Sequence, residues 1–468
     1  MIYKDLGGIA DARGLTERER AQMGELVELF RDVDGSNRRK RRYYMQHVTV
    51  GECNLGIALP SSLRNFEMPC CWPEKAVTAL KDRSRFDGFV SASGASVAAL
   101  DAIVRDNELL PQYGRACGDE LVDGVVFSTL SAGGPSGVRV RFHSAESAAA
   151  LWDGLRMDIS CGFAIIDYDR DCHGHDRPSL VYLYTDDAVV ELERDAEAKE
   201  WEVSRRTPHS MGRPLMVAMA NDPDTCSRPL GRSRVSRAVQ GLTQGYIRTM
   251  TNASLALEFD TTPQKYLLGI TDEQYDALIN QKFQAYVGSL MLGTRDGQTG
   301  ETPTFGQLAQ GTLQPHADML RMLSTQFAAV SSLSVTDTGV VNDANPTSYE
   351  AIAAANEKLI IRAQDLNAGN GEAMRKVALM ALAIAGNKSM DDLTDEERDV
   401  MPHFLNPAMP SLASTADAAV KIASADQSFA GTQVFYEMLG FDKPTIARIM
   451  SETARQRATA AFNALLEA

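Results

Sequence analysis

The densest run of reactive side chains is Asp167-Tyr168-Asp169-Arg170-Asp171-Cys172-His173-Gly174-His175-Asp176. Thiolate, imidazole and carboxylate in one short stretch are the donor types that hold zinc. His173 and His175 are only two positions apart, and no matching cluster stands elsewhere in the sequence. A polar hairpin between two strands accounts for the same residues, so a metal-dependent site and a plain turn both stand as readings. Cys70 and Cys71 are vicinal and lack Cys-x-x-Cys spacing. They read as two small, half-buried hydrophobic groups. The sequence has no Gly-Lys-Ser/Thr phosphate loop, no nucleophile-elbow serine and no zincin helix. No cofactor and no metal are expected. The other cluster is cationic: Arg38, Arg39, Lys40, Arg41 and Arg42, followed by Tyr43 and Tyr44. Basic residues beside aromatics can bind nucleic acid. The same run also suits a helix end whose cations face the negative end of the helix dipole.

Composition bounds the partners. The 468 residues carry 47 Lys+Arg against 62 Asp+Glu, a formal net charge of −15. That argues against a protein whose affinity comes from neutralising phosphates. It leaves room for one that lets DNA pass without holding it. Apolar residues at 44% and charged residues at 23% describe an ordinary globular chain, of about three domains by length. The longest apolar run, Val377 to Ala385, falls short of the ~20 residues of a bilayer-spanning helix. No membrane partner is expected. The N-terminus lacks a signal-peptide pattern. The seven cysteines are irregularly spaced with none after Cys226, which reads as free thiols in a reducing cytoplasm.

The elements that must position these groups follow from periodicity. The first 110 residues read as helical, notably Thr16 to Phe30. Residues 118–204 read as a β-rich module of about five strands with one short helix, Ala145 to Leu151. The strands include Val138 to Phe142, Cys161 to Tyr168, Leu180 to Tyr184 and Val189 to Leu192. From Val235, apolar residues at 235, 238, 239, 242, 246, 250, 253 and 257 form one helical stripe. Gly241 and Gly245 lie inside it. Two interior glycines cost about 2 kcal/mol relative to alanine, which close approach of another backbone would offset; simple tolerance is the other reading. A helix near Asp272 to Ala285 follows. A second stripe starts near Pro315 with Met319, Leu320, Met322, Leu323, Phe327 and Val330. The polar loop Val335 to Pro346 comes next. Thr347 and Glu350 form a capping box that opens a long helix, interrupted at Gly369-Asn370-Gly371 and resumed from Glu372 to Ala385. Residues 391–399 are acidic, Pro402 to Pro410 breaks structure, and Thr415 onward is helical. The fold class is α+β. Long stripes without catalytic motifs favour a structural assembly protein over an enzyme.

Ordered segments sharpen this. They are Trp72-Pro73 with Arg83 and Gly88-Phe89; His209, Gly212-Arg213-Pro214-Leu215 and Asn221; Gly231-Arg232-Ser233; Glu258-Phe259. Further on stand Pro263-Gln264-Lys265-Tyr266 with Gly269; Phe305-Gly306-Gln307-Leu308 and Pro315; and Ser348, Glu350-Ala351-Ile352 and Leu359. Together the series resembles the tailed-bacteriophage portal proteins of long non-contractile-tailed phages. It departs from them at Pro69-Cys70-Cys71, in place of an Asn-rich stretch.

The resemblance implies a portal-type fold: wing at 1–230, stem helices at 231–257 and 312–333 around a clip at 258–311, and a tunnel loop at 334–346. A long kinked wing helix and acidic connector would fill 347–410, and a helical crown 411–468. It implies a homo-oligomeric ring of about twelve subunits at one capsid vertex. Double-stranded viral DNA would pass weakly and non-specifically through its channel. The terminase large subunit, a head-completion adaptor, and the major capsid and scaffolding proteins would be its partners. The protein would sit in the virion, and in the host cytoplasm during assembly. Asp337, Asn342, Asp343 and Asn345 would lie nearest the DNA, Gly241 and Gly245 would pack stem helices, and Arg38 to Arg42 would form a basic patch. Another tail or capsid structural protein is the alternative, and a soluble metal-dependent enzyme using residues 167–176 is a further one.

Overall fold

Thr16 and Glu19 start the first helix. The Thr16 hydroxyl accepts from the Glu19 amide at 3.3 Å, and Glu19 Oε2 accepts from the Thr16 amide at 2.8 Å. This reciprocal cap satisfies two amides that the helix itself cannot. Helix α1 (Glu17–Tyr44) runs on through the whole basic run. The structure is a computed structural model and describes residues 6–53, 64–91, 98–170, 176–194, 200–261, 265–268, 304–307, 311–339, 349–408, 412–425 and 428–467. After α1 come α2 (Trp72–Lys81), with Pro73 in its first turn, β1 (Phe86–Ser91), α3 (Ala98–Asp106) and α4 (Leu109–Asp123). The early region is thus not wholly helical, because β1 finds a partner far along the chain.

The β-rich module follows: β2 (Val125–Ala132), β3 (Val138–Ser144), β4 (Ala148–Asp153), β5 (Asp158–Arg170), β6 (Asp176–Tyr184), β7 (Ala188–Arg194), β8 (Trp201–Pro208) and β9 (Met216–Ala220). Their order is β3-β2-β9 in one sheet and β4-β5-β6-β7-β8 in the other, with every pairing antiparallel. The module holds more strands than the five expected, and the helix expected at Ala145 to Leu151 is strand β4. Its alanines pair Ala148 with Ala164, Ala149 with Phe163 and Ala150 with Gly162. Ala149 joins the core under α1, while Ala148 and Ala150 join the core on the other face. Small side chains buried on both faces suit a strand between two cores, and that packing overrides alanine's high helix propensity.

Beyond the module lie α5 (Arg237–Thr261), the antiparallel pair β10 (Lys265–Leu268) and β11 (Thr304–Gln307), α6 (Gln314–Ser331), α7 (Tyr349–Ala385), α8 (Asp395–Arg398) and β12 (Val400–Phe404). Three helices end the chain: α9 (Leu412–Ala425), α10 (Gln433–Met438) and α11 (Lys443–Glu467). Two sequence expectations need correction here. Helix α7 continues through Gly369-Asn370-Gly371 without interruption. Asn370 is fully buried and hydrogen-bonded inside the fold. The stretch from Pro402 begins within strand β12, where Pro402 pairs with Phe89 of β1. A two-stranded sheet has only edges, so a proline can sit there without breaking an interior ladder. The helix expected near Asp272 to Ala285, the capping Thr347, and Cys172, His173 and His175 lie outside the described residues. Among the described residues, no helix is long and apolar enough to cross a membrane.

Candidate functional site

Helices α5 and α6 pack against each other. A Cβ placed on Gly245 would stand 3.1 Å from Leu323 Cδ2. The missing side chain is therefore what seats buried Leu323 between the helices. Along α5 the buried hydroxyls of Thr243, Thr249 and Thr251 each donate at 2.8 Å to the carbonyl four residues back. That satisfies them without a partner from outside the helix. Trp72 of α2 closes one end of the pair. Its ring stacks on Phe327 at 4.9 Å and tilts against Tyr246 at 4.9 Å. Its Nε1 donates to the Thr338 carbonyl at 3.2 Å.

Gly241 behaves differently from Gly245. It is exposed, and a Cβ there would meet nothing within 4 Å. Leu257 and Met322 are 49% exposed and Val330 45%. Large apolar side chains thus remain at the surface of the pair, while Leu323 and Phe327 pack inward.

The chain leaving α6 makes a short 3-10 turn at Val335–Thr338. Asp337 is half-buried there, and its Oδ2 accepts from Ser334 Oγ at 2.8 Å. This carboxylate sits at the base of the polar segment. Asn342, Asp343 and Asn345 fall outside the described residues.

The basic run is largely engaged by the chain itself. Arg38 pairs with Asp34 at 2.7 Å. Lys40 Nζ donates to the Asp123 carbonyl at 2.9 Å and to Asn37. Arg41 reaches Asp123 at 2.7 Å, Asp119 at 2.9 Å and Glu146 at 3.1 Å. Burial opposes its charge, but those carboxylates outweigh burial and raise its pKa. Arg42 pairs with Glu52, and Arg39 is exposed. The run therefore ties α1 to α4, and the sequence could not show this because the carboxylates come from distant segments.

The cysteine pair splits: Cys70 is buried, its thiol pushed up to about 12 by burial, whereas Cys71 is exposed. Asp167 and Asp169 are exposed on β5. Among the described residues, no group of three or more His, Cys, Asp and Glu could hold a metal. A cavity of about 480 Å³ lies between residues 220–236, the end of α6 and α7, lined by Arg232, Arg234 and Arg362 together with Asp222 and Asp365. Arg234 donates there to the carbonyls of Ala76 and Ser331, which makes it a staple between α2 and the end of α6. A polar network that local sequence did not signal joins Ser84, Tyr113, Glu120, Asn367 and Asn370.

Comparison with known proteins adds the following. The sequence pattern of the phage portal proteins of the SPP1 Gp6-like type matches residues 125–433. The portal protein of Mycobacterium phage D29 is 23% identical over 407 residues, spanning 85% of this chain and 81% of its own length. The portal protein of Mycobacterium phage L5 is 25% identical over 244 residues, spanning 51% of this chain and 48% of its own length. A chain from the neck of an empty gene transfer agent particle aligns with a TM-score of 0.46 at 12% identity, over 79% of this chain and 90% of its own.

Proposed function

We propose, from the premise that the chain belongs to the SPP1 Gp6-like family of phage portal proteins, that it closes into a ring at one capsid vertex and conducts viral DNA. Members of this family are structural virion proteins of the head–tail connector, not enzymes. The observation that carries the reading is the α5–α6 pair. It is packed on one side through Gly245 and Leu323, and it leaves Leu257, Met322 and Val330 half exposed. Identical neighbours in a ring would cover such a surface, each presenting the same two patches.

In this reading α5 and α6 are the stem, the chain between them the clip and residues 334–346 the tunnel loop. Helix α7 crosses the wing, and α9 to α11 form the crown. The terminase large subunit and a head-completion adaptor would dock on the clip, and the major capsid and scaffolding proteins around the wing. The segment Val335 to Pro346 holds Asp337 and Asp343 and no Lys or Arg. Repeated around a ring, it repels phosphates within the ~8–10 Å of ordinary screening. DNA then slides because it meets no deep binding well.

Negative-stain images of the purified protein are expected to show closed rings of about twelve subunits; a monomer or dimer overturns the proposal. Heads built with Asp337→Lys and Asp343→Lys rings are expected to package DNA more slowly. Unchanged packaging would remove the loop from the mechanism and leave the ring standing.

A further inference from the structure

Glu120 of α4 is completely buried, yet among the described residues no Lys, Arg or His pairs with it. Its Oε2 accepts from Asn370 Nδ2 at 2.8 Å, and the same amide nitrogen donates to Tyr113 Oη at 3.0 Å. Ser84 Oγ donates to Asn367 Oδ1 at 2.6 Å. Its single proton is then spent, so Tyr113 Oη is the donor in its 2.8 Å contact with Ser84. Following the donors this way leaves two buried acceptors unsatisfied, Glu120 Oε1 and Asn370 Oδ1. They belong to the two groups already joined by the Nδ2 bond. One proton on Glu120 Oε1, donated to Asn370 Oδ1, satisfies both and closes a cyclic acid–amide pair. An ionised Glu120 would leave both acceptors orphaned and bury an uncompensated charge.

The neighbours do not supply that compensation. Tyr113 and Cys117 on α4 are themselves pushed well above their ordinary pKa values, first by burial. Lys81 of α2 acts on Cys117. Burial pushes the Glu120 carboxyl up to about 8, against the pull of Asn370.

The place of Asn370 gives the pair a consequence. It stands between Gly369 and Gly371 in the interior of α7. A Cβ on Gly369 would meet nothing within 4 Å, and one on Gly371 would stand 3.6 Å from Pro402. Adjacent glycines make this the step of α7 least committed to helix by its own sequence. We infer that Glu120 and Asn370 form a proton-held clasp that keeps α7 helical across Gly369-Asn370-Gly371, and that losing the proton frees this step as a hinge. The clasp rests on these contacts alone. The ring reading adds only that α7 would connect the channel loop to the wing.

The sign follows from the raised pKa. A free glutamate titrates at 4.5 and the clasped one at about 8. The clasp's contribution is full below the lower value, falls by up to about tenfold per pH unit between the two, and levels off above the higher one.

Hydrogen exchange on the assembled protein tests this. Protection factors of amides 366–374, relative to those of α1, are expected to fall across that window in the wild type. In Glu120→Gln, whose amide donates and accepts without titrating, they are expected to stay level. Matching pH profiles for the two proteins overturn the inference. Should the variant fail to fold, infrared spectra of glutamate-labelled wild-type protein decide. A protonated carboxyl band is expected near neutral pH that fades in alkali, and its absence overturns the inference equally.

Discussion

On the five-stranded sheet, Phe163, Leu183, Val190 and Leu192 are 0% exposed beneath α1 of the same chain. The Phe30 and Phe163 rings meet edge to face at 5.4 Å. Along α5 and α6 the burial is one-sided: Leu323 and Phe327 are covered, while Leu257, Met322 and Val330 are not. The sheet closes its hydrophobic core within a single chain. The helix pair closes half of one and leaves the rest as surface, a cost in water of about 25 cal/mol for each Å² of apolar area. In the ring reading, a neighbouring copy would cover these side chains.

The contrast can be broken in order of expected effect. Phe163→Ala should cost about 3–5 kcal/mol of subunit stability, read by denaturant unfolding. A cost under about 1 kcal/mol would mean that this core is no better formed than the helix pair. Gly245→Val should cost about 1–3 kcal/mol, since the new side chain meets Leu323. Gly241→Ala should instead stabilise the isolated subunit by up to about 1 kcal/mol while lowering the yield of rings. An equal penalty at both glycines would dissolve the distinction between them. The smallest change in folding is expected for Met322→Gln, within about 0.5 kcal/mol in the unassembled subunit. Its effect should fall on assembly, measured by light scattering, and unimpaired assembly would show that this face stays bare.

Local periodicity carried much of the fold. The alternation from Val138 to Phe142 and the apolar runs at Cys161, Leu180 and Val189 all lie in strands. Pro315 occupies the first turn of α6, where its missing N–H costs nothing. The failures share one cause. Ala148 to Ala150 form a strand because two cores meet on either side of them. Residues from Pro402 pair because β1 waits at the other end of the sequence. Arg41 of the basic run is neutralised by Asp119, Asp123 and Glu146, none of which is near it in the chain. Gly245 was readable as a close approach, but its partner proved to be Leu323 of the same chain. The Glu120 clasp gave no local signal, since its two members come from segments 250 positions apart.

The pairing of β1 with β12 also sets a schedule for synthesis. Phe86 pairs with Phe404, Ser84 bonds Asn367 across 283 positions, and Trp72 bonds Thr338 across 266. At about 5–20 residues per second, a ribosome needs roughly 15–60 s to deliver those partners. Meanwhile β1 has the helices that follow it but no strand partner, the indole of Trp72 waits for Tyr246, Phe327 and Thr338, and non-local pairing of this kind is slow to form. The β-rich module has its strands and α1 in hand by Ala220. The nascent chain therefore carries one finished core and one open seam through most of translation, and chaperones would be expected to bind at that seam.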